Sequence, residues 1–317
     1  MSNIINCLDS LTHWTAPEIA DPSSIPHGDM PGDKVEIGQS HIEKAGVIFP
    51  QLVKHLKEVA TQNPHQRAVV AVCGGSGVGK SEIASLLGYY LSQAGIGSYV
   101  LSGDNYPHRI PSQNDAERLR VFRVAGLQGL VNSGVYNKEV QQQLAQLQAE
   151  EKDADKSLCK EYGWLSTYQK EGSQGLAGYL GSEKEQNFAE LTQIISSFKN
   201  GSNSIFLKRM GRTPLELWYE QVDFSKVNVL IIEWTHGNSD RFQGVDIPVL
   251  LNSTPQETLE HRRSRNRDGA VDSPFTTMVL ELEQRMLEAQ AHKAAIIVAK
   301  SGQLLDYSQY RSLMANS

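Results

Sequence analysis

The segment Cys73-Gly74-Gly75-Ser76-Gly77-Val78-Gly79-Lys80-Ser81 decides the reading of this chain. Residues 74–81 fit the pattern G-x-x-x-x-G-K-[ST] at every fixed position. Glycines let the backbone curl so that successive N–H groups converge on phosphate oxygens without Cβ clashes. A helix starting near Lys80 adds the positive end of its dipole. Lys80 supplies a cation for β- and γ-phosphates, and the Ser81 hydroxyl can ligate Mg²⁺. The dull alternative is a glycine-rich turn with a chance Lys-Ser pair. The flanks argue against it: Ala68 to Cys73 is an almost wholly apolar run of the kind expected for a strand covered on both faces, and a helical stretch follows from Lys80 to about Ala94. Gly74, Gly75, Ser76, Gly77, Val78, Gly79, Lys80 and Ser81 are therefore expected to hold a nucleoside triphosphate, ATP with Mg²⁺.

Working outward, Ser98 to Leu101, Val227 to Ile232, Ile247 to Leu251 and Ala295 to Ala299 read as further strands separated by helical patterns. That order predicts an α/β fold, a P-loop NTPase three-layer sandwich with a mostly parallel sheet and helices on both faces. Upstream, Ile48, Phe49, Leu52, Val53, Leu56 and Val59 recur at helical spacing, giving one amphipathic helix from Gly46 to Ala60 that ends near Asn63-Pro64. Residues 1–45, with Pro17, Pro22, Pro26 and Pro31, read as an irregular arm laid on the domain, which spans 46–317. The interval 126–210 is polar and rich in Gln and Lys, with helical stretches at Lys138 to Lys152 and Glu183 to Phe198. Its apolar spacing is too thin for a second full core, so it reads as a helical insertion, a substrate lid over the ligand-binding edge. No internal repeat is visible.

Composition bounds the partners. Among 317 residues, 39% hydrophobic and 21% charged is globular composition, and a net charge of −6 argues against nucleic-acid binding through bulk positive charge. Cys7, Cys73 and Cys159 are odd in number and far apart, which fits neither a disulfide framework nor a metal-ligand pair. The amino terminus lacks the basic start and apolar run of a signal peptide, and no apolar stretch approaches the roughly 20 residues needed to span a bilayer. A soluble, cytoplasmic protein is expected, with no membrane partner and room for a homo-oligomer.

Two carboxylates follow apolar strands. Asp104, in Ser102-Gly103-Asp104-Asn105-Tyr106-Pro107-His108-Arg109, falls at the carboxyl end of the second strand, where open α/β sheets bind ligands. There it could take a proton from an attacking hydroxyl, or it is a turn residue of good Gly-Asp-Asn turn chemistry. Glu233 follows Val229-Leu230-Ile231-Ile232 and can hold a Mg²⁺ ligand, unless it is a strand-end charge. Trp234 and His236 either line the pocket or serve as a packing Trp and a capping His. Three basic islands bracket these segments: Arg118, Arg120 and Arg123; Lys208, Arg209 and Arg212; and Arg262, Arg263, Arg265 and Arg267. On an acidic chain they suggest an anionic co-substrate, with surface scatter the bland explanation for any one of them.

The order of phosphate loop, Gly-Asp after the second strand, Glu after an apolar strand and late Arg-rich loop resembles the phosphoribulokinase and uridine kinase family, over about 68–125 and 225–302. The resemblance implies an ATP-dependent kinase that phosphorylates a hydroxyl. It implies Asp104 as catalytic base alongside Lys80, and Arg262, Arg265 and Arg267 in a mobile lid. It also implies a connection through Lys300, Ser301 and Gly302 that passes close to adenine. His108 and Arg109 look like phosphoribulokinase residues that face a sugar phosphate, and Tyr106, Lys208, Arg209 and Arg212 complete the expected acceptor site. Gly103-Asp104-Asn105 is also similar to adenylylsulfate kinase. An adenylylsulfate kinase-like or nucleoside kinase activity therefore stays open, and the 126–210 interval matches neither pattern. From another class, a nucleotide-dependent switch or assembly ATPase stays open too, although no Asn-Lys-x-Asp guanine-reading motif occurs.

Overall fold

The computed structural model describes residues 4–254, 256–259 and 273–315. Ala68–Gly74 forms β1, buried along its whole length. Its β-branched side chains alternate between two apolar layers, as a strand covered on both faces must. Ala68, Val70 and Val72 point into one cluster with α2 (Gln39–Gln62) and α3 (Lys80–Gln93). Val69 points into another, with Leu191, Ile194 and Phe198 of α7 (Phe188–Lys199). Two apolar layers around one sheet are the expected three-layer arrangement.

The sheet order is β2-β5-β1-β6-β7-β8, with β2 at Ser98–Ser102, β5 at Val229–Glu233, β6 at Ile247–Leu251, β7 at Ile296–Val298 and β8 at Leu304–Leu305. Every pair is parallel except β7 with β8. The carboxyl ends of β1, β2 and β5 therefore emerge at one edge of the sheet. Register sets Glu233 level with Ser102 on one side and Val72 on the other.

Several elements depart from the sequence reading. Residues 4–10 form a helix, α1, whose Ile4 and Leu8 are buried, and α2 starts at Gln39 instead of Gly46. The arm is part of the core: Trp14 packs 4.6 Å from Phe49 and 5.1 Å from Tyr90, ring centre to ring centre. Within the span read as helical, Ser204–Met210 is a strand, β3, paired antiparallel with β4 at Leu217–Asp223.

The chain divides into two compact units. The first, Met1–Tyr106, Asn187–Thr258 and Leu287–Ser317, carries both sheets. The second is Pro107–Gln186 with Leu259–Met286, so the division falls elsewhere than 126–210. It also has a core of its own, contrary to the thin apolar spacing. Phe122 and Leu130 of α4 (Pro111–Asn132), Leu144 and Leu147 of α5 (Lys138–Ala149), and Tyr168 and Leu176 of α6 (Leu165–Tyr179) pack together with Met278 and Leu282 of α8 (Pro274–Gln290). A further helix, α9 (Tyr307–Ala315), packs Tyr310 into the first unit. Among the described residues, no helix is long and apolar enough to cross a membrane.

Candidate active site

The phosphate loop joins β1 to α3. Gly79 stands at φ 93°, left-handed backbone that favours glycine, and caps the amino end of α3. The helix begins at Lys80, so its unpaired N–H groups face the loop. The Lys80 ammonium donates to the Gly75 carbonyl at 3.0 Å, folding the side chain back over the loop where β- and γ-phosphates would lie.

Ser81, on the first turn of α3, turns its hydroxyl toward β5 and donates to Glu233 Oε2 at 3.2 Å. The hydroxyl of Ser102, at the end of β2, donates to the other oxygen of the same carboxylate. Glu233 is buried. Burial first, then the charge of Asp104, pushes its carboxyl well above the usual range, while the Ser102 hydroxyl and the Lys80 cation pull it down. A buried carboxylate beside a hydroxyl, with a second carboxylate near, is a donor set that a hard divalent cation would satisfy. Among the described residues no group of three or more His, Cys, Asp or Glu forms a complete metal cage. Two protein oxygens with phosphate and water making up the rest is how Mg²⁺ is ordinarily held. Ser81 and Glu233 fit that role.

Asp104 lies in the single turn Gly103–Asn105 directly after β2, exposed, and close enough to Glu233 to act on its charge. Gly103 is required there. A Cβ at that position would lie 2.1 Å from Trp234 Cγ. Trp234 is itself packed among Phe188, His236 and Phe242, so Trp234 and His236 serve the core under the turn and not a pocket wall. Gly103→Ala is expected to cost about 1–3 kcal/mol by overpacking and to lower turnover with it, as read by thermal melting and steady-state kinetics.

The remaining expected residues fare differently. Arg209 is buried and already engaged: its guanidinium reaches Asp29 at 2.8 Å, Glu220 at 3.1 Å and the Tyr99 hydroxyl at 2.9 Å. Its donors therefore serve an internal ion pair and not a free anion. Lys208 is buried too, 5.2 Å above the Tyr106 ring, and burial lowers its pKa against the pull of Glu190. Tyr106 is a fully buried core side chain. Arg212 lies in the exposed β3–β4 connection, where its backbone N–H binds Glu216 at 2.8 Å. The island after Asp104 is paired as well: Arg118 with Glu185 at 2.6 Å, Arg120 with Glu117 at 2.7 Å, Arg123 with Asp153 at 2.9 Å. These acids neutralise the arginines of that island.

His108 and Arg109 belong to the second unit. There His108 Nε2 contacts the Glu183 carbonyl at 2.9 Å and Arg109 donates to the Tyr179 hydroxyl at 3.0 Å. Both line a cavity of about 680 Å³ in that unit, with Glu117, Arg120 and Lys184. Ser301 and Gly302 form the tight turn from β7 to β8, closed by Gly302 N–H donating to the Ala299 carbonyl at 2.9 Å. Gly302 stands at φ 88°, so enlarging it strains the turn whatever lies nearby. Arg262, Arg265 and Arg267 lie outside the described residues. The residue that sequence reasoning missed is Asp29, which no motif marks.

No family model matches the chain. It is 37% identical over 267 residues to the bifunctional alpha-galactosidase/sucrose kinase AgaSK of Mediterraneibacter gnavus, a match covering 84% of this chain and 23% of that protein. The chain thus spans about a quarter of that relative's length. Among solved structures, it is similar to a protein assigned as a fructose transport system kinase from Silicibacter sp. TM1040, at TM-score 0.46 and 15% identity, covering 78% of this chain and 94% of that one. It is also similar to a D-glycerate 3-kinase from Cryptococcus neoformans var. grubii, at TM-score 0.43 and 12% identity, covering 85% and 98%. At those scores the fold assignment rests on the sheet order and the phosphate loop themselves.

Proposed function

We propose that this chain is an ATP-dependent kinase of the phosphoribulokinase and uridine kinase type, transferring the γ-phosphoryl group to a hydroxyl of a small, uncharged carbohydrate. The observation that carries the reading is the convergence of Ser81, Glu233 and Asp104 beside the phosphate loop. The loop amides and Lys80 bind and orient the triphosphate. An acceptor hydroxyl held in line would give its proton to Asp104 as the new bond to phosphorus forms and the bond to the β-phosphate oxygen breaks. Magnesium, when bound by Ser81 Oγ and Glu233, neutralises phosphate charge.

The choice of an uncharged sugar has two supports. The relative with the matching segment is described as a sucrose kinase. And Arg118, Arg120, Arg123 and Arg209, four of the arginines that suggest an anion, are neutralised by carboxylates of the chain. The test is ADP release on adding disaccharides, monosaccharides, sugar phosphates, nucleosides or adenylylsulfate singly. Release is expected with a neutral sugar, sucrose first. A sugar phosphate or adenylylsulfate as best acceptor would overturn the uncharged-acceptor assignment. Turnover that needs a protein partner instead would favour a switch ATPase.

A further inference from the structure

Asp29 belongs to the proline-rich arm, yet its side chain is largely covered at the end of β2. Its Oδ1 accepts from the Ser102 N–H at 2.8 Å and from Asn105 Nδ2 at 3.1 Å. Its Oδ2 accepts from Arg209 Nη1 at 2.8 Å and from the Tyr99 hydroxyl at 3.0 Å. Burial holds the Asp29 carboxyl above its usual range, with Arg209 and the donors on it working against that shift. Three of the four partners, the Ser102 N–H, the Asn105 amide and the Arg209 guanidinium, can only donate to it, which suits the carboxylate.

The two bonds on Oδ1 bracket one short piece of chain. Ser102 immediately precedes the turn Gly103–Asn105 and Asn105 closes it, with Asp104 between. The Asn105 side chain is held from its other end too, because its Oδ1 accepts the Met210 N–H at 3.0 Å. The Ser102 hydroxyl, meanwhile, reaches Glu233. One carboxylate from the arm thus grips both ends of the turn and bonds to the residue that joins it to Glu233.

We infer that Asp29 is a positioning residue: it fixes the turn that aims Asp104 at the acceptor hydroxyl. This rests on the kinase reading, in which Asp104 is the base. A purely structural Asp29 would do no more than neutralise Arg209, and its loss would lower stability without acting through Asp104. The two roles separate in a double-mutant cycle on the full chain, assayed with Mg²⁺-ATP and sucrose or the acceptor that the ADP screen identifies. Asp29→Ala is expected to lower kcat about 10- to 100-fold, the order expected for a misplaced catalytic group, with Mg²⁺-ATP affinity unchanged. In the Asp104→Asn background the same change is expected to have no further effect on kcat, because the two act as one unit. Asp29→Asn keeps an oxygen for the Ser102 and Asn105 donors and is expected to fall between, and it serves in place of Asp29→Ala if that variant does not fold. Tyr99→Phe removes the bond to Oδ2 and one from Arg209 but leaves both bonds on Oδ1, and is expected to leave kcat unchanged.

Amide exchange gives a readout that needs no acceptor. The segment 99–106 is expected to lose at least about tenfold protection in Asp29→Ala, while 229–233 keeps its own. Equal fold losses in kcat in both backgrounds, or unchanged exchange over 99–106, would overturn the inference. If Asp104→Asn alone leaves turnover intact, the base assignment fails instead, and the exchange result still decides whether Asp29 holds the turn.

Discussion

Lys80→Ala is expected to lower ATP turnover by about 10³-fold, the upper end for removing one preorganised donor from developing charge. Lys80 opens α3 and folds back onto the Gly75 carbonyl, so its ammonium stays within the loop where the triphosphate would sit. Binding should suffer as well, since the cation contacts ground-state and transferring phosphate alike. The fold should not, because the loop geometry depends on Gly79 at φ 93° and on the buried strand before it. Calorimetry with Mg²⁺-ATP, a coupled assay and a melting curve separate these effects. Unchanged affinity and turnover would remove the phosphate loop from the site.

Asp104→Asn is expected to keep Mg²⁺-ATP affinity and melting temperature while lowering kcat about 10²- to 10⁴-fold, the usual effect of losing a general base. The side chain is exposed on a one-turn element, so the isosteric amide should cost little stability. What it loses is the capacity to accept a proton. The effect should appear in kcat with the KM for ATP unmoved, since ATP is held by the loop. A variant that binds ATP poorly yet turns over at the wild-type rate would show that Asp104 is not the base.

The parts of this site that were legible in the sequence share one property: each is local. The phosphate loop is eight consecutive residues, and β1, β2, β5, β6 and β7 are short apolar runs that only a sheet covered on both faces would need. Glu233 and Asp104 were readable because they sit where such runs end. The β3–β4 hairpin was not, because Leu217–Asp223 is exposed along nearly its whole length and mixes Trp218 and Tyr219 with acids and Gln. Helices α4 and α6 were hidden by their glycines. Glycine lowers helix propensity, yet Gly126, Gly129, Gly172 and Gly175 are where the two helices touch: a Cβ at Gly175 would meet that of Ala125 at 2.3 Å. The basic islands are hard to read for a third reason. Several of the acids that pair with them are distant in sequence, as Asp29 is 180 residues from Arg209. Charge counted along a chain says nothing of pairing across it.

The central claim is phosphoryl transfer from ATP to a sugar hydroxyl, and product analysis tests it most directly. The purified chain, incubated with γ-³²P-labelled ATP, Mg²⁺ and sucrose, is expected to move the label into a sugar phosphate ester, with ADP formed in equal amount. Asp104→Asn should suppress that product. Label released only as inorganic phosphate, at a rate indifferent to any carbohydrate supplied, would contradict the account.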